Sequence, residues 1–91
     1  MDTEWKVSIL PSAQSELDQL DDRIRHAAMQ AIVDLGEDPF PFGSIPLEGQ
    51  TYLYRIRFYR EQYRIVYRVS EHQRRVIVER VRPRGSAYAG L

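Results

Sequence analysis

The sequence has no cysteine, a single lysine and two histidines among its 91 residues. The absence of cysteine excludes disulfides, thiolate nucleophiles and cysteine zinc sites. His26 and His72 stand far apart in the chain and offer little for any other metal site. No segment approaches the roughly 18 consecutive apolar residues of a membrane span. The opening Met1-Asp2-Thr3-Glu4-Trp5 has neither the basic nor the apolar region of a secretory leader, so a cytoplasmic protein without membrane contact is expected. Whatever chemistry the chain performs is left to oxygen and guanidinium groups.

What remains is one small domain, residues 1–91, with an ordinary 43% apolar and 29% charged residues. A chain this short buries only about 60 to 65% of its unfolded surface, so its core must be compact. The formal net charge of zero hides an opposition between halves. Residues 1–50 hold three basic groups against ten acidic ones, a balance of −7. Residues 51–91 hold ten arginines against Glu61, Glu71 and Glu79, a balance of +7. Either the basic half meets an anionic partner or the two halves pair across the surface; composition does not choose between them. Arginine, at twelve of the thirteen basic positions, matches phosphate bidentately and stacks on bases, where lysine supplies only a point charge.

Trp5, Val7 and Ile9 alternate in a first strand that Pro11 ends. Pro11-Ser12 opens a helix with Ala13, Leu17 and Leu20 on one face. Asp21-Asp22 caps a second helix, whose stripe is Ile24, Ala27, Ala28, Ala31, Ile32 and Leu35 and which Gly36 ends. Residues 36–51 carry three prolines and three glycines and are expected to be irregular, with Phe40, Phe42, Ile45 and Leu47 covering the core. From Tyr52 the period changes to 2. Tyr54, Ile56 and Phe58 alternate with Leu53, Arg55 and Arg57. After the turn Arg60-Glu61-Gln62, Tyr63, Ile65, Tyr67 and Val69 alternate with Arg64, Val66 and Arg68. A last strand, Arg74 to Arg82, mixes charge on both faces, as a bulge would produce. The expected fold is α+β, with the N-terminal strand and a helical hairpin on the aromatic face of a twisted antiparallel sheet. The other face then carries Arg55, Arg57 and Arg64 together, a crowding of like charge that needs either a polyanion or nearby carboxylates to offset it. Glu79 reads as a salt-bridge partner, His72 and His26 as solvated, and Asp18, Asp21 and Asp22 as helix-capping or solvated carboxylates rather than a metal cluster.

At this point the chain resembles the RelE/ParE toxins of bacterial toxin–antitoxin pairs over nearly its whole length. The resemblance rests on Ser12-Ala13 with the Leu17/Leu20 helix, the second helix ending before Pro39, and Leu47-Glu48-Gly49. It continues through Tyr54-Arg55-Ile56-Arg57, Tyr63-Arg64-Ile65-Val66-Tyr67 and Arg82-Pro83-Arg84-Gly85-Ser86-Ala87-Tyr88. The last three motifs are specific in combination. They sit closer to the messenger-RNA-cleaving RelE branch, with arginine at 55 and 57 where lysines are familiar.

The resemblance implies a metal-independent, cofactor-free endoribonuclease that enters the ribosomal decoding site and cuts messenger RNA, and a cognate antitoxin that holds it in a hetero-oligomer. Its implied site is Arg57 and Arg64 on the scissile phosphate, Arg82 on developing charge or the leaving group, Arg55 positioning RNA or assisting removal of the 2′ proton, and Tyr88 stacked on a base. Arg84, Arg60, Arg74 and Arg75 would contact RNA or ribosome. In the ParE branch, the same fold instead inhibits DNA gyrase and cuts nothing, and a basic RNA-binding module without turnover is a third reading of the arginine face.

Overall fold

The computed structural model describes residues 5–85. Strand β1 (Lys6–Ile9) leads into helix α1 (Pro11–Asp18) and helix α2 (Asp22–Leu35); strands β2 (Ile45–Pro46), β3 (Leu53–Phe58), β4 (Tyr63–Ser70) and β5 (Arg75–Pro83) follow. Proline at the first position starts α1, where its missing N–H costs nothing. The Asp21 carboxylate caps α2 by accepting the N–H groups of Arg23 and Ile24 at 3.0 and 3.2 Å. Asp18 accepts from the Gln14 side chain and Asp22 pairs with Arg25, so the three carboxylates serve the helices. Among the described residues no group of acidic residues and histidines is arranged to hold a metal ion, and no helix is long and apolar enough to cross a membrane.

The sheet runs in the order β1-β5-β4-β3-β2. The α+β arrangement inferred from periodicity is the observed one, with the hairpin on one face. The sheet itself, however, is mixed, because β1 runs parallel to β5, with Lys6 opposite Arg75 and Ile9 opposite Val78. Alternation reports which face a side chain takes and is silent about which neighbour a strand chooses. Gly36 belongs to this junction. Its φ of −71° is ordinary, but a Cβ there would lie 3.1 Å from Cγ2 of Val7, so a larger residue would have to push Val7 aside where the end of α2 meets β1.

One face of the sheet carries Ile56, Phe58, Ile65, Tyr67, Val69, Val76, Val78 and Val81, packed under Ala13 and Leu17 of α1 and Ala28, Ile32 and Leu35 of α2. The opposite face buries only Leu53 and Val66, with Leu47 against them.

The long connection departs from expectation. It contributes the edge strand β2, pairing Ile45 with Arg55 and Pro46 with Tyr54. Tyr67 is fully buried, and its hydroxyl donates to the Pro39 carbonyl at 2.8 Å, tying the connection to the core. Burial keeps that hydroxyl protonated far above the usual tyrosine range. Phe40 meets Tyr54 edge-on at 5.1 Å. Phe42 and Ile45 do not cover the core: they are 107% and 44% exposed, because β2 places this stretch beyond the sheet edge rather than over it.

Candidate active site

Antiparallel partners share a face of the sheet, and the register aligns three arginines across three strands. Arg57 of β3 stands opposite Arg64 of β4, and Arg64 stands opposite Arg82 of β5. Opposed Cα atoms lie about 4.5 to 5.5 Å apart, so the three guanidinium groups arise from a strip roughly 10 Å wide. The next row holds Arg55, Val66 and Arg80, and the row beyond it Leu53, Arg68 and Ile77. Arg55, Arg57, Arg64 and Arg82 therefore converge on the face that the helices leave open.

Arg80 and Arg68 join them. Alternation hides Arg80, because the register slips between Val66 and Tyr67: Val66 pairs with Arg80 and Tyr67 with Val78, leaving Glu79 as the extra residue of a bulge. Glu79 accepts Nε of Arg68 at 2.8 Å, the salt-bridge role expected of it.

Carboxylates guard the two ends of the arginine row. At one end Glu61 pairs with Arg57 at 3.1 Å, while Nε–H of Arg57 is buried without a hydrogen-bond partner. At the other end stands Glu16 of α1. Strand β1 stops at Ile9, so among the described residues the outer edge of β5 past Val78 has no strand beside it, and α1 takes that place. Glu16 Oε1 accepts the Val81 N–H at 2.8 Å and Oε2 accepts Nε of Arg82 at 2.5 Å, with Arg80 at 3.5 Å. No pattern in the sequence links Glu16 to residues 65 positions away. Part of the crowded charge is thus offset by the protein's own carboxylates, yet these stand at the perimeter of a six-arginine face.

The remaining candidates separate by position. Tyr59, Arg60 and Glu61 form the β3–β4 turn with φ of 52°, 58° and 64°. Left-handed backbone costs roughly 1 to 2 kcal/mol per such residue, and this turn is held by the Arg57–Glu61 pair and by Arg60 lying 5.6 Å over the Tyr59 ring. It brings Arg60 to the arginine-row end of the sheet. Arg84 is there too, its N–H donating to the Gln62 carbonyl at 2.8 Å. Arg74 and Arg75 do not join the group. Arg75 begins β5, seven residues or about 23 Å from Arg82, and Arg74 in the turn before it lies 4.4 Å over the Trp5 ring. Tyr88 lies outside the described residues.

Beside Arg57 a cavity of about 290 Å³ opens, lined by Phe42, Gly43, Ile45, Arg55, Ile56, Arg57 and Glu61. A larger one of about 490 Å³ lies at the other end of β3 and β4, between Phe40, Tyr52, Tyr54, Arg68 and His72. It is remote from the arginine row.

A helical hairpin on a mixed sheet whose other face gathers arginine is matched by a known family. The family model described as the ParE toxin of type II toxin–antitoxin systems, parDE, matches residues 7–88. The chain belongs to this toxin family. Solved structures agree. The toxin–antitoxin complex RelBE2 from Mycobacterium tuberculosis is 26% identical, with a TM-score of 0.79 over 92% of this chain and 95% of that one. The archaeal RelE–RelB complex from Pyrococcus horikoshii is also 26% identical, with a TM-score of 0.76 over 92% and 99%. The YoeB/ParE toxin from Agrobacterium tumefaciens is 25% identical, with a TM-score of 0.72 over 86% and 96%. A search of curated proteins returns no match.

Proposed function

We propose that this toxin is a ribosome-dependent endoribonuclease that cuts messenger RNA in the decoding site, acting in the cytoplasm. The observation that carries the reading is the row Arg57, Arg64 and Arg82, displayed on one open face by three adjacent strands. Opposed like charges destabilise a sheet, and a phosphate chain laid across them removes that cost.

The chemistry asked of the row is transesterification. The ribose 2′-oxygen attacks the adjacent phosphorus, so a bond from O2′ to phosphorus forms as the bond from phosphorus to O5′ breaks. A 2′,3′-cyclic phosphate and a free 5′-hydroxyl result, one proton leaving O2′ and one reaching O5′. Arginine, with a pKa of about 12.5 or more, is a very poor base but an effective donor to the phosphorane. One preorganised donor is worth roughly 3 to 4 kcal/mol and in-line alignment up to about 7 to 11, though the contributions do not simply add. In this reading Arg57 and Arg64 hold the scissile phosphate. Arg82, steadied by Glu16, meets the developing charge, Arg55 positions the RNA, and Tyr88 stacks on a base. Arg60 and Arg84 extend the contact to RNA or ribosome at the same end. Relatives solved as complexes with RelB give the chain its expected protein partner, a cognate antitoxin in a hetero-oligomer.

The family model's ParE description favours a second reading, gyrase inhibition without cleavage. One experiment separates the two. Purified toxin is added to programmed ribosomes and 5′ ends are mapped by primer extension, with gyrase supercoiling assayed in parallel. Cuts in the decoding site that vanish in Arg64→Ala support the nuclease. Intact message with inhibited supercoiling selects the second reading.

A further inference from the structure

Phe42 is the most exposed large apolar side chain among the described residues, at 107%. Exposure of one phenylalanine is unremarkable alone; its surroundings are not. Strand β2 covers β3 only at Tyr54 and Arg55, so from Ile56 onward the outer edge of β3 has no strand neighbour among the described residues. The 290 Å³ cavity opens at that edge, and its lining brings Phe42 and Ile45 together with Arg55 and Arg57. Neither its neighbour Phe40, which packs on Tyr54, nor any other described ring meets the Phe42 ring. Next to it Gly43 takes φ +97° with open space around it, a conformation that ordinary side chains adopt only with strain.

We propose that Phe42, Arg55 and Arg57 form a subsite for one nucleotide of single-stranded RNA, the base lying on the Phe42 ring and its phosphate on the two guanidinium groups. The inference deepens the nuclease reading and rests on it for the identity of the polymer. Two guanidinium groups against the one carboxylate of Glu61 make the cavity a place for an anion. An unpaired aromatic face beside that anion fits a flat, apolar base, and stacking of this kind tolerates any base. An added peptide strand would meet the same open β3 edge, but unless it were acidic it would leave two cations against the single carboxylate of Glu61. The cavity lies on the β3 side of the row, so the subsite extends the RNA path outward from Arg57, away from Arg82.

The test uses the full chain with Phe42→Trp in a Trp5→Phe background. Trp5 is the chain's one tryptophan, so the new indole reports alone once circular dichroism shows the fold intact. The probes are a short unstructured RNA and an abasic RNA of equal length. The proposal expects the RNA to quench the indole and the abasic strand to bind without quenching. It expects Phe42→Ala and Phe42→Leu to weaken RNA about tenfold while leaving abasic affinity unchanged. No quenching up to millimolar RNA, or equal quenching by both probes, overturns it. So does unchanged RNA affinity in Phe42→Ala alongside a weakened antitoxin complex, which would give Phe42 to the protein partner. Quenching with no cleavage on ribosomes would remove the nuclease reading and leave the subsite standing. Ribosomal cleavage by Phe42→Ala at unchanged KM and kcat would do the reverse.

Discussion

The two faces of one sheet have been given opposite tasks by the same alternating strands. Under the helices, Ile56, Ile65, Val78 and their neighbours are sealed from water and supply most of the buried apolar area. On the other face Leu53 and Val66 alone are buried, and the positions around them are arginines whose carboxylate partners sit at the margins. The difference teaches that the buried core and the displayed arginines come from residues two or fewer positions apart on each strand. On this account one face can be damaged with little effect on the other.

The largest effects belong to the open face. Arg57→Ala and Arg82→Ala are each expected to slow cleavage on programmed ribosomes by about 10²-fold or more, with the double variant losing less than the product of the two, since in the proposed chemistry both act on one phosphorane. Single-turnover rates measured for all four proteins check this. On the covered face, Leu17→Ala leaves a hole where no water reaches and is expected to cost about 3 kcal/mol by urea unfolding. Whatever fraction remains folded should cleave at the normal rate.

Glu16 sharpens the comparison because it serves both faces, rising from the helix layer to the end of the arginine row. Glu16→Gln keeps an acceptor for one of its two donors and loses the charge facing Arg82. It is expected to cost about 1 to 2 kcal/mol of stability and to lower kcat by more than it raises KM. The smallest effect concerns Tyr67. Its folded pKa is raised by burial, so the fold holds a proton that the unfolded chain releases above about pH 10. That contribution is complete below the unfolded value and is lost as pH rises beyond it. Urea midpoints from pH 8 to 11 should decline at the alkaline end, and less steeply in Tyr67→Phe.

The sequence disclosed much of this division. The change of period at Tyr52, the Asp21 cap and the paired runs of tyrosine and arginine identified helices, strands and the open face, because each is a local consequence of geometry. What stayed hidden is non-local. Parallel pairing of β1 with β5 depends on where the chain travels after the hairpin. The bulge at Glu79 puts Arg80 and Arg82 on the arginine face, where unbroken alternation from Val76 and Val78 would have turned them into the core. Glu16 meets Arg82 only because β1 is too short to cover β5. Phe42 lies in a stretch whose composition suggests core cover, and its exposure follows from two residues of edge strand. Arg74 and Arg75, grouped with Arg60 and Arg84 by the resemblance, lie a strand's length from the arginine row.

The most direct test is the single-turnover cleavage rate of Arg64→Ala at saturating programmed ribosomes, with its urea unfolding curve measured beside it. A rate about 10² to 10³-fold lower in a protein as stable as the parent is what the arginine row predicts. An undiminished rate, or a loss that merely tracks unfolding, would contradict it.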